Sequence, residues 1–355
     1  MRNVLLIPFI GLLSLCARSQ TIGGSSVYNF LKLSNSPQLT GLGGINISNQ
    51  SPDIGLAFNN PALLRASMHS QANLVFNSFY AGIKNYHLFT GYRYEPWQTN
   101  FAVGVNYFSY GSIPETDFTG NIFGSFKPVD YVVQVSASRQ YKERWHYGAT
   151  IKFMHSGYGN YRSSGLAMDA GVTYTDTANL LQVSLVMKNM GGQLSTYTGA
   201  DATDLPFDLQ IGISKKLAKA PIQFSITAHQ LHRFDIRYND TAFNNENGFD
   251  PGPNGKKYIF DKFFRHIVLA VQLFISDKVE ISTAYNHLRR KELNIGQSGN
   301  GLNGFSLGIG VLLKKFQLRY ARSHYQNKSG YNQFGLNIRL SDYFGKGIQR
   351  PGASQ

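Results

Sequence analysis

Any chemistry performed by this chain must come from nine histidines and a thin scatter of carboxylates. His229 and His232 are the closest histidine pair. Three residues apart on a strand they point to opposite faces, and no cysteine or carboxylate stands between them, so no zinc site is expected. Asp201 and Asp204 share one connection, while Asp235, Asp240, Glu246, Asp250 and Asp261 are spread through the longest one. Asp250-Pro251-Gly252-Pro253-Asn254-Gly255 offers oxygen ligands on a turn but lacks the alternating acids of a calcium loop. No Gly-x-Ser-x-Gly elbow occurs, and no glycine-rich phosphate loop precedes a helix. Gly308-Ile309-Gly310 falls inside an alternating run, where glycine relieves crowding on a wall. No catalytic residue, metal or other cofactor is expected, and the chain reads as a non-enzyme.

What remains suits binding. A connection of about 31 residues from His232 to Lys262 interleaves Phe234, Tyr238, Phe243, Phe249, Tyr258 and Phe260 with Arg233, Arg237, Lys256, Lys257 and Lys262. Exposed aromatic and cationic side chains are the types that become interface hot spots. All of these except Lys262 are assigned to partner binding. Arg289-Arg290-Lys291 opens another long connection and is assigned to lipopolysaccharide phosphates, which adjacent cations hold well.

The elements that carry these residues follow from composition and periodicity. Of 355 residues, 42% are hydrophobic and only 15% charged, against roughly 25% charged in a soluble domain. Aromatics make up 14%, which favours strands. Arg2, the apolar run from Val4 to Leu15, and Ala17-Arg18-Ser19 form a signal peptide over residues 1–19. Leu15 before Cys16 argues against a lipoprotein, and cleavage near Gln20 removes the only cysteine, so no disulfide is expected. Removing Arg2 and Arg18 lowers the net charge from +14 to +12. A basic exported chain meets lipid headgroups or lipopolysaccharide, and nucleic acid is not an expected partner.

Beyond the signal, alternation repeats. Trp145, Tyr147, Ala149, Ile151 and Phe153 oppose His146, Gly148, Thr150 and Lys152, and Phe305, Leu307, Ile309 and Val311 oppose Ser306, Gly308, Gly310 and Leu312. Fourteen strands are predicted, at 71–81, 84–94, 98–110, 128–140, 145–156, 166–176, 179–190, 206–216, 221–231, 263–275, 278–287, 303–312, 316–324 and 331–340. Odd-numbered connections have about 2, 17, 9, 15, 31, 15 and 6 residues and even-numbered ones about 3, 4, 2, 4, 2 and 3, the parity of an outer-membrane barrel with short periplasmic turns. Tyr94, Tyr110, Trp145, Tyr174, Tyr285, Tyr320 and Tyr343 suit interfacial girdles. The expected fold is all-β: a 14-stranded antiparallel transmembrane barrel over 71–340, a hatch on the periplasmic side over 20–70, and a periplasmic tail over 341–355.

The hatch segment carries a resemblance. Gly23-Gly24, then Tyr28-Asn29-Phe30-Leu31-Lys32-Leu33, Gly41-Leu42-Gly43-Gly44 and the block from Asp53 to Leu64 resemble the amino-terminal signature of the PorQ family of type IX secretion outer-membrane proteins. PorQ and PorV are in turn similar to the long-chain fatty-acid transporters, fourteen-stranded barrels with an amino-terminal hatch. Gly43, Gly44, Asn60, Pro61 and Ala62 are the hatch-motif residues. The resemblance implies an outer-membrane anchor that docks a PorZ surface protein through external loops, within an attachment complex that includes PorU and PorV. The alternative it leaves open is a transporter of hydrophobic small molecules, which requires a continuous apolar pocket beside the hatch and a gap in the wall.

Overall fold

The computed structural model describes residues 26–49, 51–79, 82–236, 255–293, 301–324 and 330–344. The expected signal peptide with Cys16, Gly23-Gly24, most of the long loop (including Asp240, Glu246 and Asp250) and the tail beyond Phe344 lie outside these residues.

The strands run in chain order as β1 Gln71–Ser78, β2 Lys84–Tyr94, β3 Thr99–Ser109, β4 Ile113–Thr116, β5 Ile122–Phe126, β6 Val129–Tyr141, β7 Trp145–Tyr158 and β8 Tyr161–Asp176. They continue as β9 Leu181–Ser195, β10 Asp208–Lys216, β11 Ile222–Ala228, β12 Ile267–Ser276, β13 Val279–Asn286, β14 Phe305–Leu312, β15 Phe316–His324 and β16 Gly330–Arg339. The helices are α1 Pro37–Gly41, α2 Gly255–Arg265, α3 His287–Leu293 and α4 Ser341–Phe344. Fourteen strands close into one antiparallel barrel, with β1 pairing both β2 and β16, and β4–β5 form a separate hairpin in the β3–β6 connection.

Polarity is reversed relative to a soluble barrel. On β6, Gln134, Ser136 and Ser138 are buried while Val133 and Val135 face out. On β7, Thr150, Lys152 and Ser156 are buried, whereas Ile151 is 59% exposed. An apolar outer surface around a polar interior is the pattern of a membrane-spanning barrel, whose closed ladders leave no unpaired backbone toward lipid. Among the described residues no helix is long and apolar enough to cross a membrane.

Several boundaries differ from the alternation pattern. The nine-residue connection expected after residue 156 is a tight turn between β7 and β8, with Gly159 at φ +62° and Tyr158 opposite Tyr161. Ser163-Ser164-Gly165 resembles a loop in sequence, but Ser163 and Gly165 are small residues facing the inner wall and Ser164 alternates to the other face. Residues 263–265, expected in a strand, complete α2, where Asp261 and Arg265 pair one helical turn apart. The strand expected over 221–231 stops at Ala228, and Gln230 turns the chain at φ +53°. Of the girdle candidates, Tyr110 turns inward and donates to Asp130.

The hatch fills the lumen along its height and is not confined to the short-turn end. Tyr28 and Phe30 pack among Phe108, Phe79 and Met154 near the long-loop mouth. α1 lies against β13–β16, the turn Pro61–Leu63 against β6–β8, and Met68 against β2 near the short-turn end. Gly43 and Gly44, at φ +92° and +83°, reverse the chain after α1. α1 meets the wall backbone to backbone: a Cβ on Gly308 would sit 3.1 Å from the Gly41 Cα and 2.5 Å from Ser282 Oγ. Gly308→Leu should therefore unseat the hatch without opening the barrel. The expected result is new chymotryptic cleavage at Phe58, which is buried in the wild type, with heat-modifiable gel mobility retained.

Candidate functional site

An ion cluster joins the hatch to the wall. Asp53 caps the turn Ile54–Phe58, its Oδ1 accepting from the Gly55 amide at 2.8 Å and from Asn337 Nδ2 at 2.7 Å. Its Oδ2 accepts from Ser36 Oγ at 3.2 Å and pairs with Arg319 Nε at 3.3 Å. The Arg319 guanidinium also pairs with Glu280, whose second oxygen accepts from Gln272 Nε2 at 2.9 Å. Gln272 in turn accepts from Asn49 Nδ2 at 2.8 Å. Asp53, Arg319 and Glu280 are all buried. Charges so placed are stable only as a mutually satisfied set, so this network specifies where the hatch sits.

A second cluster lies on β7–β9. The β8–β9 register shifts between Met168 and Ala170, so both Lys188 and Asn189 point inward from a bulge. Lys152 pairs with Asp169 at 2.6 Å and donates to Asn189 at 3.0 Å, while Lys188 donates to the hatch residue Asn59 at 2.8 Å. The hatch motif works locally. Asn60 Oδ1 accepts from the Ala62 amide at 3.0 Å, its Nδ2 donates to the Ile47 carbonyl at 2.7 Å, and Pro61 lies against Gly148.

Above the hatch, at the long-loop end, is a cavity of about 440 Å³. Leu31, Leu33, Ile47, Leu205 and Ile236 supply apolar walls, and Lys32, Lys188, Arg233 and Arg289 bring four cations against Asp208 and Glu292. Burial pushes the Glu292 carboxyl up and the Lys32 ammonium down, each partly offset by the other's charge. His229 is fully buried here, and among the described residues neither ring nitrogen has a hydrogen-bond partner. The expectation that His229 and His232 face apart is corrected: both follow the end of β11 and line this cavity. Among the described residues no group of three or more metal-ligating side chains occurs.

The long-loop surface is uneven. On the β4–β5 hairpin Ile113, Phe118, Ile122 and Phe123 are exposed, Phe118 completely. Of the partner-binding candidates, Arg233 lines the cavity, Phe234 stands exposed with Lys262 Nζ 5.8 Å above its ring, and Phe260 is exposed on α2. Arg237, Tyr238, Phe243 and Phe249, and the side chains of Lys256, Lys257 and Tyr258, lie outside the described residues. Arg289 does not face lipid headgroups: its guanidinium turns into the lumen and donates to Ser323 Oγ at 2.7 Å and to the Gly43 carbonyl at 3.2 Å. Arg290 donates to the Gly301 carbonyl, and Lys291 lies 3.5 Å from Asp261. A separate concavity of about 900 Å³, lined by Leu74, Phe76, Leu88, Leu318 and Leu336, lies on the outer wall and faces lipid.

No local motif marks the lumen residues in the sequence. Their signal is the inward placement of Lys152, Lys188, Glu280 and Arg319 at alternating strand positions, where a charge can persist only beside a partner.

The class defined by these observations is a plugged, membrane-spanning antiparallel barrel of the outer-membrane type. No protein-family model matches the chain, and no curated protein matches it. Among solved structures it is similar to a TodX monoaromatic hydrocarbon channel mutant, at 10% identity and a TM-score of 0.49 over 86% of this chain and 97% of that one. It is similar to the CymD monoaromatic hydrocarbon channel at 13% identity and a TM-score of 0.46, over 88% and 97% of the two chains. A Pseudomonas aeruginosa FadL homologue follows at 11% identity and a TM-score of 0.42, over 84% and 96%. The likeness is one of barrel architecture alone.

Removing one member of the buried cluster should be costly. Arg319→Leu leaves Asp53 and Glu280 unpaired and should lower stability by about 3–5 kcal/mol, read as a fall in the temperature at which the heat-modifiable form converts. Adding Asp53→Asn and Glu280→Gln to Arg319→Leu should recover part of that loss.

Proposed function

We propose that this chain is a non-enzymatic outer-membrane platform whose long loops dock a surface protein of the PorZ kind, in an attachment complex with PorU- and PorV-like partners. The observation that carries this reading is the contrast between a lumen filled by a hatch tied to the wall and an apolar loop surface left open. The hatch reaches from the long-loop mouth to β1, and Asp53 and Asn49 bond directly to Asn337 on β16, Arg319 on β15 and Gln272 on β12, so the hatch stands in the path through the resting barrel. At the same end, Phe118, Ile122 and Phe123 project on a hairpin, with Phe234 70% exposed nearby in sequence to the cavity residues. Desolvated aromatic side chains of this kind dominate protein interfaces. Lipopolysaccharide contact is proposed for Arg290 and Lys291, without Arg289.

Affinity isolation of the tagged chain from cells should recover a PorZ-like surface protein. Shortening 113–126, or deleting 236–260, should each lower that recovery by tenfold or more, about 1.4 kcal/mol per tenfold, with heat-modifiable mobility unchanged. Full recovery with both changes contradicts the reading.

A second reading, transport of hydrophobic small molecules, is favoured by the cavity, and the barrels named above stand nearer to it. Apolar walls beside Lys32, Arg233 and Arg289 suit a single-chain amphipathic anion. It requires the hatch to move. A fluorescent long-chain carboxylate that binds the purified barrel, is displaced by fatty acid, and is lost in Arg233→Glu would support this reading; absence of saturable binding would remove it.

A further inference from the structure

We propose that α2 is an interfacial helix that rests on the outer leaflet of the membrane, with its apolar face among lipid chains at headgroup depth. This is independent of whether the loops dock a partner or the cavity binds a ligand.

Over residues 259–265 the helix has two different faces. At 100° per residue, Ile259, Phe260, Phe263 and Phe264 occupy one continuous arc, and Asp261, Lys262 and Arg265 occupy the opposite one. The four apolar side chains are between 47 and 72% exposed. The polar side chains are the ones turned to protein. Lys262 Nζ pairs with Asp235 at 2.7 Å, and Asp261 receives Arg265 at 2.8 Å, His287 at 3.1 Å and Lys291 at 3.5 Å. In water this orientation is the wrong way round. It is the same inversion that the barrel wall shows, polar groups inward and apolar groups outward, and it has the same physical cause if the outer face meets lipid.

Position supports the same occupant. The ring of Phe264 lies 6.2 Å from that of His287, which lies 6.0 Å from Tyr285, which lies 5.0 Å from Phe305. Tyr285 and Phe305 point outward from β13 and β14, since their neighbours Ala284, Asn286 and Ser306 are buried. An unbroken aromatic row therefore runs from the lipid-facing wall onto the apolar face of α2. Rings at such a boundary sit at headgroup level. Only His266 separates the end of α2 from Ile267, the first residue of β12, which fixes the helix at the barrel rim. Phe260 then belongs to the membrane surface, while Phe234 and the β4–β5 hairpin stay available to a protein partner.

The test uses the full chain with Cys16→Ser and one added cysteine, Phe260→Cys or Phe263→Cys, labelled with bimane and reconstituted in phosphatidylcholine–phosphatidylglycerol vesicles. Phe118→Cys is the water-exposed reference. Labels on α2 should emit at shorter wavelength, be quenched by lipids brominated near the headgroup, and be shielded from aqueous iodide by about threefold or more relative to the reference. Iodide quenching equal to the reference, with no effect of brominated lipid, would overturn the proposal. So would shielding that appears only as protein density in the vesicle rises, which would assign the face to a second copy of the chain. Retained heat-modifiable mobility shows that each labelled protein has folded.

Discussion

Inside hydrocarbon, every backbone N–H and C=O must be paired within the protein, and that constraint governs this molecule. Fourteen strands satisfy it by closing β16 onto β1. Closure has a second consequence, because a wall whose outer face is apolar has its polar side chains on the inside, around a lumen that holds either water or protein. The hatch fills it, and the demand for satisfied charge selects how. Asp53, Arg319 and Glu280 are stable in the lumen only as a set, so a single hatch position completes all their contacts at once. Small residues then let the chain approach the wall, as Gly41 does at Gly308.

Alternation in the sequence was enough to reveal the barrel, because a strand with lipid on one side and polar filling on the other has the strongest period-two pattern a chain can carry. Residues 145–158 are the clearest case. Where the inner wall uses serine and glycine, as at Ser163 and Gly165, the same residues resemble a loop and make the tight β7–β8 turn look long in the sequence. Helix α2 was partly read as strand because Phe263 and Phe264 supply the apolar residues that either element needs. The hatch block was legible through its motifs, whereas its path was not: only the packing of Tyr28 and Phe30 against Phe108 shows that it begins at the long-loop mouth.

The candidate site was less legible than the fold. On a continuing strand His229 and His232 would face apart, but β11 ends at Ala228 and both line one cavity. Arg289 was grouped with Arg290 and Lys291 by adjacency, yet on a helix adjacent residues diverge by 100°, and Arg289 alone reaches the lumen. The ion cluster joins residues 53, 280 and 319, which are distant in sequence and acquire meaning only when the barrel closes. What closure brings together is a hatch bonded into the lumen, an amphipathic cavity beside it and exposed aromatic side chains around the mouth.

Planar-bilayer recording of the purified barrel tests most directly whether the bonded hatch closes the lumen. The wild-type protein should give no stepwise, ohmic conductance, because a hatch bonded through Asp53, Arg319 and Glu280 occupies the path. Large, stable conductance steps from the wild type, of the kind an open fourteen-stranded pore would give, would contradict it.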